Sequence, residues 1–140
     1  MLFSPEINYS AVLVAGIIGM AVGALWYSPM LFGKQWMKWN GMSMEHMEAA
    51  KKGGMGKRYF AGFIGTLFMS CTIAHVILYA RAYSLFAGKW IGGMIAIGIA
   101  APILLGSVLW ENKPVKLWLL NSGYYLVTFA IMGAILGAWQ

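Results

Sequence analysis

Three groups of residues have the types and spacing to do chemistry. His75 and Cys71 stand four apart, with Tyr79 one helical turn further, so on a helix all three face one way. An imidazole and a thiolate are metal ligands, but two ligands on one helix leave a zinc site incomplete. One intramembrane histidine likewise gives haem a single axial ligand. A neutral histidine hydrogen-bonded within a helix bundle is the expectation for this pair. Met42, Met44, His46 and Met47 gather thioethers and an imidazole, soft donors that suit Cu(I), but the pattern is short and methionine is frequent in this chain, so a helix face resting on the membrane, with no metal, is the expectation. Asn121, Tyr125 and Thr128 form a polar stripe at helical spacing, flanked by Ser122 and Tyr124. Such a stripe can line a water-filled path or hold helices together. With no charged ring beside it, the expectation is helix adhesion. Paired acid and base, a nucleophile beside a base, and a phosphate loop are all missing, so the chain is not expected to be an enzyme or to carry a cofactor.

The elements that position these groups are set by composition. Of 140 residues, 61% are hydrophobic and 10% charged, against about 25% charged in ordinary soluble domains. The sequence reads as a single all-α membrane domain over residues 1–140, an integral four-transmembrane-helix bundle. Spans are expected at about 8–28, 59–83, 90–110 and 117–139, each near the roughly 20 residues a bilayer requires. The 29–58 connection begins with a short amphipathic interfacial helix after the first span. There Phe32, Trp36 and Trp39 share one face, opposite Lys34 and Lys38. Ser43 is placed to cap a second helix that Gly53-Gly54 ends.

Charge sets the orientation. Lys34, Lys38, Lys51, Lys52, Lys57, Arg58, Lys113 and Lys116 fall on one side, and only Arg81 and Lys89 on the other. The basic side is expected to face the cytoplasm, with both termini outside. Anionic lipid headgroups, rather than nucleic acid, then account for the net charge of +6. Trp26, Tyr27, Trp36, Trp39, Trp110 and Trp118 are expected as interfacial anchors at the cytoplasmic surface. No Asp, Glu or Lys lies deep in a span, which argues against proton exchange through a buried carboxylate.

Small residues recur four apart in every span: Gly19 and Gly23; Ala61 and Gly65; Thr66, Ser70 and Ala74; Gly92, Ala96 and Ala100; Gly98, Pro102 and Gly106; Gly133 and Gly137. Such faces let helices approach closely in lipid, and the surplus of them points to a homo-oligomer. Depth reckoning along the spans pairs Asn121 with Ser107 in a hydrogen bond, and puts His75 in the opposite half of the membrane. Pro102 is expected to kink the third span and leave a carbonyl near residue 98 in need of a partner.

The stretch Gly23-Ala24-Leu25-Trp26-Tyr27-Ser28-Pro29, followed by Leu31-Phe32-Gly33-Lys34 and Trp36-Met37-Lys38, resembles the start of a bacterial membrane family, domain of unknown function 1761. Ala49-Ala50-Lys51-Lys52-Gly53, Gly54-Met55-Gly56-Lys57, and the Pro114, Lys116-Leu117, Asn121, Gly123-Tyr124 and Gly133-Ala134-Ile135-Leu136 series look like its loop and final span. The resemblance implies a four-span bacterial inner-membrane protein and no particular activity. Family members often have an acidic residue where Asn121 stands and a histidine where Tyr125 stands; both are neutral here. The functional expectation is a structural or accessory, self-associating membrane protein. A small channel or carrier that works without a buried carboxylate is the alternative.

Overall fold

A computed structural model describes residues 6–140; the side chain of Met44 lies outside the described set. The described chain is all helical. Four helices are long and apolar enough to cross a membrane: Tyr9–Trp26, Met55–Ala80, Leu85–Trp110 and Val115–Ala138. The molecule is a multi-pass membrane protein.

Local signals set the ends of each element. The Asn8 side chain accepts from the Ala11 amide and starts α1 (Tyr9–Trp26). A tight elbow follows, in which the Ser28 carbonyl accepts from both Leu31 and Gly33 and the Trp26 carbonyl accepts from Phe32. It delivers the seven-residue α2 (Gly33–Trp39). Only glycine fits at 33, since a Cβ there would sit 2.5 Å from the Tyr27 carbonyl oxygen and 2.8 Å from that of Ser28. Ser43 caps α3 (Met44–Lys52), and His46 completes the capping box by accepting from the Ser43 amide. Gly54, at φ +96°, turns the chain into α4 (Met55–Ala80).

The second and third spans begin earlier than hydropathy predicts, at 55 rather than 59 and at 85 rather than 90. Backbone turns and caps fix these starts. Lys57 and Arg58 therefore belong to the first turn of α4, where long basic side chains can reach back toward headgroups. At the other end of α4, Arg81 takes the left-handed conformation (φ 53°) and Ala82 donates to the Ile77 carbonyl, closing the helix. Ser84 then caps α5 (Leu85–Ile95) by accepting from Ala87.

The third span is not one regular helix. After α5 comes a π-helical turn at Ala96–Ala100, then α6 (Ala101–Leu104) and α7 (Gly106–Trp110). The expected effect of Pro102 thus appears as a change of helical register rather than a simple kink. The last element is α8 (Val115–Ala138).

The helix α8 is the hub. It packs on α1, on α4 and, most extensively, on α5, while α1 and α4 pack on each other. The centre is filled by Ala11, Ala15, Ile73, Ile77, Met132 and Leu136, none more than 2% exposed. On the α5–α8 seam the backbones almost touch. A Cβ at Gly92 would fall onto the Phe129 carbonyl, and one at Gly88 onto that of Gly133. This is close small-residue packing with both partners contributing glycines.

The faces of the sequence divide accordingly. Gly19, Thr66, Ser70, Ala74, Gly92, Ala96, Gly133 and Gly137 are buried. Ala61 and Gly98 are exposed, and nothing lies within 4 Å of where a Cβ would stand on Gly65 or Gly98.

Candidate functional site

The polar stripe of α8 and the elbow after α1 meet at the end of the bundle that carries α2. Trp26 donates its indole N–H to the Leu120 carbonyl (3.2 Å), and the Tyr27 hydroxyl donates to Asn121 Oδ1 (2.8 Å). Two glycines make room for this joint. Gly123 lies under the Trp26 ring, and a Cβ on Gly23 would come 3.0 Å from the Tyr124 hydroxyl. Aromatic rings continue the contact in both directions. Trp26 packs on Phe32 (4.7 Å between centroids), Tyr27 on Trp36 (5.9 Å) and on Tyr124 (5.2 Å). Tyr124 meets Tyr125 (4.9 Å), which meets Phe129 (5.5 Å) deeper in the bundle. Tilted and edge-on pairs at these spacings each add about 0.5–1.5 kcal/mol beyond area burial in soluble proteins. A row of rings thus ties α2 through the elbow to the core of α8.

Asn121 and Ser107 do not pair. Ser107 donates to the Leu104 carbonyl of its own segment (2.9 Å). The reason is register. Gly133 meets Gly88 and Phe129 meets Gly92, so α8 and the third span run antiparallel with residue numbers summing to 221. That sets Asn121 level with Ala100, and Ser107 seven residues further along, roughly 10 Å away. By the same register Gly106 lies level with Val115, so the last turn of the third span runs past the start of α8, and the two span ends taken as level are not.

Three of the expected interfacial anchors act as braces between helices. Trp26 and Tyr27 bond to α8 as described, and Trp118 donates its indole N–H to the Ala101 carbonyl at 2.8 Å. Trp36 and Trp39 are half-buried, while Trp110 is 84% exposed and suited to an interface.

Thr128 is buried beside Tyr124, near Gly19, without a hydroxyl partner at hydrogen-bonding geometry. The Ser122 hydroxyl is also buried without a partner. Ser70, fully buried, donates to the Val12 carbonyl (2.8 Å) and fastens α4 to α1.

His75 and Cys71 lie on α4, away from this cluster. His75 Nδ1 is 2.7 Å from the Cys71 carbonyl and 3.7 Å from its sulfur. A neutral imidazole donating from Nδ1 to a carbonyl of its own helix fits this geometry, and Nε2 is then a buried atom without a partner. Tyr79 is exposed. Among the methionine cluster, His46 has its Nδ1 turned onto Ser43, and Met44 lies outside the described side chains. No group of three or more His, Cys, Asp or Glu able to hold a metal occurs among the described residues.

Sequence reasoning missed the role of Gly88. The signal was present as two Gly-x-x-x-Gly pairs, Gly88/Gly92 and Gly133/Gly137, which oppose each other in antiparallel register. It also missed that Trp26 and Tyr27 point inward, for which Gly23 and Gly123 were the available sign.

The model of a family described as "Protein of unknown function (DUF1761)" matches residues 10–137. No curated protein matches the chain, and no solved structure does.

Proposed function

The chain belongs to the DUF1761 family of proteins of unknown function, and from that premise we propose that it is a non-enzymatic structural or accessory protein of the bacterial inner membrane. In this reading it self-associates in the bilayer. Its basic end, with α2 and α3, faces the cytoplasm and anionic headgroups, and both termini lie outside. One observation carries the reading: three polar groups along the first turns of α8 are spent on helix joints. Asn121 is taken by Tyr27, the Leu120 carbonyl by Trp26, and the Trp118 indole by Ala101. A transport path would need those groups facing water, whereas the bundle centre is occupied by Ile73, Ile77 and Met132. Self-association is supported by the third span, which is the most apolar of the four and has only 11% of its most apolar 18 residues buried within a single chain.

Native mass spectrometry from lipid nanodiscs tests self-association: dimers or larger species are expected, and monomers alone at all protein-to-lipid ratios would refute it. Flux of small ions and neutral solutes in proteoliposomes tests the accessory role, with rates equal to empty vesicles expected. A small channel or carrier without a buried carboxylate is the second reading, favoured by the interruption of the third span at Ala96–Ala100. Solute flux above the empty-vesicle rate would select it.

A further inference from the structure

The two halves of the third span are held in very different ways. Along α5 the seam with α8 is glycine on backbone, and the smallest side chain would collide there. Beyond residue 100 the packing on α8 thins. Among the described residues, one side-chain hydrogen bond joins α8 to that second half, from the Trp118 indole to the Ala101 carbonyl.

Between the halves the backbone ladder is broken. The Ala101 amide donates to the Ala96 carbonyl, the wide spacing of a π turn. In an α-helix that amide would serve the Ile97 carbonyl, and in a continued π turn the next amide would. The next residue is Pro102, which has no N–H. The Ile97 carbonyl therefore has no donor in its own helix. Ile97 is 64% exposed and no other residue crowds Gly98. A second break follows at Leu105, where α6 gives way to α7. Helix interruptions of this kind are where spans bend and pivot.

On the α8 side of the joint sits the Ser122 hydroxyl, buried and without a partner. It lies seven residues before Phe129, hence on nearly the same stripe, and the 221 register sets it level with Ile99. A buried hydroxyl left unpaired favours any arrangement that hydrates it.

We propose that the third span is a jointed helix. Leu85–Ile95 is fixed to α8, Ala96–Gly98 is the joint, and the arm Ile99–Trp110, which carries the Ala101 carbonyl and stands level with Ser122, swings away when the Trp118 indole releases that carbonyl. Release uncovers the Ser122 stripe of α8 toward the basic end of the molecule. Trp118 is the latch of a conformational device, and it touches no substrate. The inference does not rest on the accessory reading, since a jointed span serves either a regulated assembly or a gated path.

The test uses Ser122→Cys in a Cys71→Ala background, with the whole protein in lipid nanodiscs, and measures the rate of modification by N-ethylmaleimide. Trp118→Phe keeps the ring and removes the donor; it should raise the rate at least tenfold. Adding Pro102→Ala returns an amide to the ladder and should bring the rate back to within about twofold of the parent. An unchanged rate in Trp118→Phe overturns the latch. A raised rate that Pro102→Ala leaves unaltered overturns the joint. Hydrogen exchange on the unsubstituted protein guards against a variant that fails to fold. Amides of 103–110 should exchange at least tenfold faster than those of 88–95, and equal protection would refute the two-part span.

Discussion

Replacing Gly92 by alanine should separate the α5–α8 seam. The new Cβ would stand 2.6 Å from the Phe129 carbonyl carbon and 3.2 Å from the Ala130 nitrogen, both backbone atoms that cannot turn aside. Comfortable carbon separations are about 3.5–4.0 Å, so the helices must part by about 1 Å locally. A gap of 0.5–1 Å forfeits a quarter to a half of each dispersion contact. If the contacts disturbed equal those of one buried side chain, about 40–60 atom pairs at 0.1–0.2 kcal/mol each, the loss is about 1–6 kcal/mol, centred near 3. Gly98→Ala is the matched control. It changes the same residue type on the same span, but nothing lies within 4 Å of the new Cβ, so it should be neutral or stabilise by about 0.5–1 kcal/mol. Equilibrium unfolding in mixed micelles, followed by tryptophan fluorescence, reads both. The reasoning fails if Gly92→Ala costs no more than Gly98→Ala. If Gly98→Ala were the costlier change in bilayers but not in dilute micelles, the open face would be covered by another chain.

Other perturbations probe the remaining joints. A double-mutant cycle with Tyr27→Phe and Asn121→Ala should give a coupling of about 0.6 kcal/mol, and not above about 1.7, as for other hydrogen bonds between membrane helices; zero coupling in the unfolding assay would mean the bond is absent in lipid. Gly33→Ala should unseat α2, because its Cβ meets the Tyr27 and Ser28 carbonyls; a shift in tryptophan emission from loss of the Tyr27–Trp36 contact is the readout, and an unchanged spectrum contradicts the elbow. Arg81→Gly removes a left-handed strain of about 1–2 kcal/mol, partly offset by chain entropy, and should raise stability by up to about 1 kcal/mol in the same unfolding titration.

The spans were legible because about 20 apolar residues in a row have few other uses, and the start of α3 because Ser43 is a capping residue, whereas the Ser84 cap that sets the start of the third span was not read. Lateral order was less legible. Hydropathy is blind to rotation about a helix axis, so it could not choose Gly65 or Thr66 as the inward face. Register failed for a related reason. The Asn121–Ser107 expectation took the inner ends of the third and fourth spans, at Trp110 and Leu117, as level, whereas the third span reaches past the start of α8. Tryptophans at span ends read as headgroup anchors because that is their commonest use in membranes. Trp26 and Trp118 depart from it because glycine at 123 leaves room for one ring and the Ala101 carbonyl, which also accepts from Leu105, offers the other an acceptor inside the bundle. The π turn has no sequence signature beyond Pro102, which predicts an interruption but not its form.

The position of α8 in the chain bears on how the molecule is made. Its packing partners α1, α4 and α5 all precede it, and a ribosome supplies about 5–20 residues per second. Until its 24 residues emerge, α1 and α4 have each other, but α5 has almost nothing to hold. The nascent third span must therefore wait in the lipid with its Gly88–Gly92 face uncovered, exposed to capture by other membrane segments. Biogenesis is thus staked on the final helix, and substitutions in the Gly133–Gly137 stretch should be felt first as failed insertion and degradation during synthesis.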